Sequence, residues 1–287
     1  MMNLLLNKLK KGDYSMINNT LTYQTPHNQE NYIIQTNRLY ENDLLQLFNK
    51  EILAIRIPDY YPLALCELSK QRLLQNGIQH YINAPSIGRN GMAFYETEND
   101  PEKIEQYYYR SRVNIEQIRQ IFHPNFSPLD KLRLELQEAW ASGANIENIH
   151  DRKMFVGLCR LLEPNVDFLP HQDIFHLDSK DNIRARSLKS QVAANIYLDI
   201  GNEGGEIDLW SYGFNDNIYP EMLDENSYGM SRSKLSAPTL SIKPKVGELV
   251  LFNGRNLHAV RPSKTVRISI ACFIGYRGKE YPLTYWS

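Results

Sequence analysis

Apolar positions along this chain follow two rhythms. Up to about residue 150 they fall at helical spacing between polar positions, the pattern of segments that bury one face. LALCELSKQRLLQNG reads as one helix, stopped by Gly77 just past its last apolar residue. Asp100-Pro101 supplies an N-cap and a first-turn proline for a long helix through PEKIEQYYYRSRVNIEQIRQIF. Ser127-Pro128 starts another, SPLDKLRLELQEAWASG, expected to end at Gly143. Residues 1 to about 40 are polar and rich in Asn and Gln. With so little periodicity, they are expected to be partly mobile or to lie across the domain.

From about residue 153 the rhythm changes to short apolar runs between turn residues. MFVGLCRLL, QVAANIYLDI, GEIDLWSY, PTLSIK, GELVLFN and VRISIACFIGY each read as strands. Asn202-Glu203-Gly204-Gly205 and Pro244-Lys245-Val246-Gly247 are the clear turns. Residues 213–237 form a long polar insertion, expected to be mobile. The expected architecture is a single α+β domain over 1–287. In it a mostly helical part, 1–150, packs against a mainly β core, 151–287, shaped as a sandwich or barrel.

Composition adds exclusions. A formal net charge of −1 gives no reason to expect nucleic acid or an anionic membrane as a partner. The opening MMNLLLNKLKKGDYS is too short in apolar residues for a signal-peptide core or a span, and no later run is long enough. Cys66, Cys159 and Cys272 are odd in number and set in apolar segments, which reads as free buried thiols in a reducing compartment. Cytoplasmic residence is the expectation, and a homodimer stays open as an assembly.

The candidate chemistry sits at His171-Gln172-Asp173. On an extended segment residues two apart face the same way, so His171 and Asp173 present an imidazole and a carboxylate together. His258 follows just past GELVLFN, and Arg267 nine residues later, inside the apolar run VRISIACFIGY. Two histidines and one carboxylate on one face suit Fe(II) and leave positions open. An arginine among apolar strand residues needs a buried anion. The plainer reading is a surface turn pair and a strand-end histidine. His176 is expected behind or beside the site; His27, His80, His123 and His150 fall in polar or helical stretches that suit exposed or capping roles.

The order LPHQD, NIYLD, GGEIDLW, GELVLFNGRNLHAVRP and VRIS resembles the catalytic core of the Fe(II)/2-oxoglutarate-dependent oxygenases, over residues 155 to 277 or so. The resemblance implies a double-stranded β-helix, or jelly-roll, with His171, Asp173 and His258 as iron ligands. It implies Arg267 on the distal carboxylate of 2-oxoglutarate, with Ser269, Asn195 and Tyr197 lining the cosubstrate pocket. Many members have glycine immediately before this arginine, where the chain has Val266. PDYYP, GRNGMAFYETE and SPLDKLRLELQEAW resemble bacterial oxygenases of free amino acids, lysine above all, a group that holds both hydroxylases and radical halogenases. The halogenases have a small residue where this chain has Asp173, so hydroxylation is implied, with O2 as oxidant and succinate and CO2 as co-products.

A free amino acid needs a cation for its carboxylate and acceptors for its ammonium. Arg89 is the candidate cation, and Glu96, Glu138 and Asp208 are candidate acceptors. Trp210 and Trp286 are candidate pocket walls, although strand tryptophans more often belong to the core. Part of Tyr107-Tyr108-Tyr109 at most can face a site, because the run spans several faces of its helix. Two further readings stand beside this one: the same oxygenation of a peptide or protein side chain, and a non-catalytic cupin-like binding protein.

Overall fold

The structure, a computed structural model, describes residues 32–75, 77–81, 86–180 and 182–287. Most of the polar opening segment, and His27 with it, lies outside the described residues. Four helices occupy the first half: α1 (Glu41–Phe48), α2 (Leu63–Gln75), α3 (Pro101–Phe122) and α4 (Pro128–Ala139). Their starts follow the capping logic. Asp100 accepts a 2.9 Å hydrogen bond from the Lys103 amide and Ser127 a 3.0 Å one from the Asp130 amide. Gly77 follows α2 at φ +79°, the left-handed conformation that ends a helix. α4 stops at Ala139, four residues before the expected Gly143, and Gly143 turns the chain at φ +73°.

The first half is less helical than its periodicity suggests. It also carries β1 (Ile33–Gln35), β2 (Ala54–Ile57), β3 (Gln79–His80), β4 (Ile87–Asn90), β5 (Ala144–Ile146), β6 (Asn148–Ile149) and β7 (Arg152–Lys153). These are two to four residues long, too short for a period to show, and most are defined by pairing with distant strands.

The later strands are β8 (Leu158–Leu162), β9 (Phe168–His171), β10 (Ser190–Asp199), β11 (Ile207–Leu209), β12 (Leu240–Ile242), β13 (Leu249–Asn253), β14 (His258–Val260), β15 (Arg267–Tyr276) and β16 (Leu283–Trp286). Between them lie α5 (Phe175–Asp178), α6 (Ile183–Arg186) and α7 (Tyr219–Met222), each a single turn. A large mixed sheet runs β1-β2-β13-β10-β15-β8-β4-β3, with β16 and β5 attached beside β15. A smaller sheet runs β12-β11-β14-β9.

Strand alternation divides the large sheet into two faces. Val192, Ala194, Ile196, Leu249, Leu251, Ile268 and Ile270 pack against helix residues such as Leu44, Leu47, Leu132 and Leu136. Their neighbours Ala193, Tyr197, Val250 and Phe252 turn the other way and pack on Ile207, Leu209, Leu240 and Ile242 of the small sheet. Buried on both sides, β10 therefore reads as a continuous apolar run. Cys66, Cys159 and Cys272 are free and buried, as expected. Among the described residues, no helix is long and apolar enough to cross a membrane.

Arg56 on β2 forks onto fully buried Glu248 with contacts of 2.6 and 2.8 Å, tying the first-half strands to β13. Arg56→Ala is expected to cost about 3–5 kcal/mol, because it strands a buried carboxylate. Equilibrium urea unfolding checks this, and a loss within about 0.5 kcal/mol, typical of surface changes, would show that the pair is not structural.

Candidate active site

β9 and β14 pair antiparallel with His171 directly opposite His258. Asp173 lies two residues beyond the end of β9, and its amide donates to the Gly254 carbonyl at 2.8 Å. The three side chains converge. His171 Nε2 is 3.8 Å from Asp173 Oδ1, and His258 Nε2 is 3.2 Å from Asp173 Oδ2. One nitrogen or oxygen from each residue lies within 4.8 Å of the others. The Nδ1 atoms face the carbonyls of Leu169 at 2.8 Å and Asn256 at 3.0 Å. A carbonyl only accepts, so both Nδ1 atoms are the protonated ones and both Nε2 lone pairs point at the shared centre.

The electrostatics suit a divalent cation. Burial first, and then the neighbouring His258, pulls the His171 pKa down to about 4, so this imidazole is neutral at neutral pH, as a ligand must be. For Asp173, burial pushes the pKa up, but His258, His171 and Arg160 together outweigh it and hold the carboxyl below its usual range. Gly254 gives the carboxylate room: a Cβ there would lie 3.2 Å from Asp173 Oδ2. Two imidazoles and a carboxylate on one face are the donor set that fits Fe(II).

Two cavities meet at this triad. The smaller, about 40 Å³, lies between the sheets and is bordered by Asn195, Tyr197, Arg267 and Ser269. Arg267 opens β15 and is 4% exposed. It donates to the Tyr197 hydroxyl at 3.3 Å, while its buried Nε has no partner. Among the described residues no carboxylate pairs with it. Burial lowers its pKa, yet a guanidinium stays protonated, so the site holds a buried cation without its anion.

The larger cavity, about 200 Å³, is walled by Tyr81, Tyr95, Phe168, Tyr219 and Tyr228, with Arg160, Gln172 and Asp178 as its polar groups besides the ligands. Burial, and then the charge of Asp173, pushes the Asp178 pKa up to about 8. Tyr219 and Tyr228 come from the 213–237 segment, which is held down rather than loose. The Gln172 amide donates to the Tyr219 hydroxyl at 3.1 Å, the Leu169 amide donates to Tyr228 at 3.0 Å, and the Met230 amide reaches the Pro170 carbonyl. The Gln172 side chain bridges Phe214 and Arg255 from between the two ligands. Tyr219 and Met230 are buried, so the polar composition of 213–237 hid an anchored segment.

The residues offered from sequence for substrate binding lie elsewhere. Arg89 pairs with Glu96 at 2.6 Å, donates to the Gly91 carbonyl and borders a different cavity of about 750 Å³. Glu96 also caps the Ala93 amide at 2.7 Å, so these two candidates satisfy one another. Asp208 is engaged by Arg232 at 2.7 Å, Arg261 at 2.9 Å and Ser241 at 2.8 Å. Glu138 is exposed on α4. Trp210 is core, donating to the Ser236 carbonyl, and Trp286 packs on Phe175 and Phe273. Tyr107 and Tyr108 are buried and Tyr109 is 85% exposed, and none of the three borders the triad. His176 pairs with Asp216 at 2.8 Å, outside both cavities. Arg160 and Asp178 went unread, although Arg160 interrupts the apolar run FVGLCRLL just as Arg267 interrupts its own.

Residues 157–275 match the family model described as the 2OG-Fe(II) oxygenase superfamily. The matched stretch carries all three residues of the triad and Arg267. Its cofactor is Fe(II), with 2-oxoglutarate and O2 as cosubstrates. The chain is 29% identical over 154 residues to L-gamma-glutamyl-L-propargylglycine hydroxylase of Streptantibioticus cattleyicolor, covering 52% of this chain and 54% of that one. The match thus spans about half the length of that curated relative. It is 27% identical over 202 residues to leucinostatins biosynthesis cluster protein S of Purpureocillium lilacinum, covering 67% and 80%. The oxygenase fold is also similar to that of an N-substituted L-amino acid dioxygenase from Burkholderia ambifaria AMMD, with a TM-score of 0.58 at 14% identity, over 86% of this chain and 90% of that one. Its complex with alpha-KG gives 0.55 at 15% identity.

Removing either imidazole should cripple metal binding. His171→Ala or His258→Ala is expected to weaken Fe(II) affinity beyond the ~10–100-fold cost of outer-shell changes. Anaerobic titration calorimetry decides, and an unchanged affinity in either variant would dissolve the triad.

Proposed function

We propose that the chain hydroxylates an unactivated C–H bond of a free amino acid or small amino acid derivative, consuming Fe(II)-bound 2-oxoglutarate and O2. Lysine is the first substrate to test. The observation that carries the reading is the facial triad beside a buried arginine with no anion of its own. The two sheets support it. Strands β8, β10, β13 and β15 lie in one, and β9, β11, β12 and β14 in the other, which we read as a double-stranded β-helix within a single domain.

In this reading His171, Asp173 and His258 hold the iron, and Arg267 grips the distal carboxylate of 2-oxoglutarate in a charge-assisted fork. The Tyr197 hydroxyl is close enough to Arg267 to orient the fork, and Ser269 and Asn195 offer hydrogen bonds along the same inner face. Bound Fe(II) and 2-oxoglutarate supply an oxidant able to attack an aliphatic C–H, with succinate and CO2 as co-products. The protein's own part is to place that bond and limit water, and the aromatic walls serve both ends. A cavity of about 200 Å³ falls below the ~300–1,000 Å³ of drug-sized sites, which suits one amino acid better than a protein segment.

The curated relative named for a γ-glutamyl dipeptide keeps a dipeptide-sized substrate as a second reading. Protein reconstituted anaerobically with Fe(II), 2-oxoglutarate and ascorbate, then exposed to O2 with pooled amino acids, should form one oxidised amino acid and matching succinate by mass spectrometry. Succinate alone would move the search to dipeptides and proteins. Iron binding without succinate would favour a non-catalytic jelly-roll. Arg267→Ala should cost about 2–5 kcal/mol in 2-oxoglutarate binding, and an unchanged requirement would make the arginine structural.

A further inference from the structure

Two ionisable groups that neither ligate at the triad nor face the cosubstrate alone, Asp178 and Arg160, border the larger cavity. Asp178 ends α5 and is half-buried against the lining of that space. No cation and no hydrogen-bond donor among the described residues pairs with its carboxyl. This is unusual for a molecule that matches its other enclosed carboxylates closely, Glu147 with Arg277 at 2.8 Å and Asp208 with Arg232 at 2.7 Å. Arg160, on the inward face of β8, borders the same cavity and also the smaller one. Tyr81, Tyr95 and Asp173 are near it, and no carboxylate lies within salt-bridge distance. One cavity therefore presents a guanidinium where it joins the cosubstrate space and a lone carboxyl on its substrate side.

We propose that Asp178 accepts the ammonium group of the substrate while Arg160 faces its carboxylate, so that the cavity takes amino acids whose amine is free. The proposal rests on the oxygenase reading and narrows it. Burying an unpaired carboxyl is costly, and a bound cation removes the cost. The assignment also sets this chain apart from an enzyme for N-substituted amino acids. An acylated amine carries no charge that would hold Asp178 in its ionised form. The tyrosine walls leave the rest of the ligand in an apolar, aromatic surround, consistent with a hydrocarbon side chain between the charged ends.

The test is binding, measured without turnover. Protein loaded with Mn(II) and 2-oxoglutarate is titrated by calorimetry with L-lysine, L-ornithine, L-leucine and their fully N-acetylated forms. At least one free amino acid is expected to bind, and its acetylated form to bind at least tenfold more weakly. Asp178→Asn, which keeps size and shape, should weaken the free amino acid at least tenfold and leave 2-oxoglutarate within twofold; Asp178→Glu should recover part of the loss. Equal affinity in Asp178→Asn, tight binding of an acetylated form, or binding of 2-oxoglutarate with no free amino acid bound would each overturn the assignment while the oxygenase reading stands. Failure of 2-oxoglutarate itself to bind would instead overturn the oxygenase reading.

Discussion

The site depends on one strand register. β9 and β14 meet so that His171 stands opposite His258, and Phe168 opposite Val260. Side chains on a strand alternate faces, so a slip by a single residue would turn one imidazole out of the cavity and leave no metal centre. The register is held from several directions. β14 is flanked on its other side by β11, with Leu209 opposite His258. Beyond the end of β9 the amide of Asp173 is fixed on Gly254, and within β9 the Pro170 carbonyl accepts from the Met230 amide. The ligands thus stand on or next to paired backbone, which gives a tighter hold on their spacing than free loops would.

Charge is distributed unevenly in this fold. Away from the cavities, enclosed charges are matched: Arg56 with Glu248, Arg277 with Glu147, and Arg232 and Arg261 with Asp208. At the cavities the matching stops. Arg267 has only a tyrosine hydroxyl, Arg160 has no carboxylate at bonding distance, and Asp178 has no cation. Unpaired ionisable groups are expensive to enclose in their charged forms, and these three border the spaces that meet at one triad. Ligands that bring an anion to Arg267 and a charge of each sign to the larger cavity would complete the pattern.

Much of this was legible in the amino-acid order, and the limits have physical causes. The triad could be read because imidazole and carboxylate two apart on a strand share a face, and Arg267 because a cation inside VRISIACFIGY demands a partner. The caps at Asp100 and Ser127 are local interactions and were equally visible. The short strands β1 to β7 were not: each is two to four residues long, and β2, β4 and β5 exist through partners far along the chain. Arg89 and Glu96 looked available because nothing in the order of residues shows that they face each other. Polar composition hid the anchoring of 213–237, to which Phe214, Tyr219, Tyr228, Met230 and Arg232 all contribute. Arg160 could have been found by the argument that found Arg267, had it been applied to FVGLCRLL.

In the proposed reading, Asp173 carries the distinction between hydroxylation and halogenation. A halide needs a vacant position on the metal, and a tethered carboxylate competes for that position at very high local concentration. Here the tether is short and its direction is set. The backbone of Asp173 is bonded to Gly254, its carboxylate lies 3.2 Å from His258 Nε2, and the two imidazoles and Arg160 beside it favour its charged form. Gly254 adds to the fit, since any side chain there would press on the carboxylate from behind. An anion from solution would have to displace a charged ligand that the backbone holds in place, which is why the proposed reaction is oxygen transfer and not halide transfer.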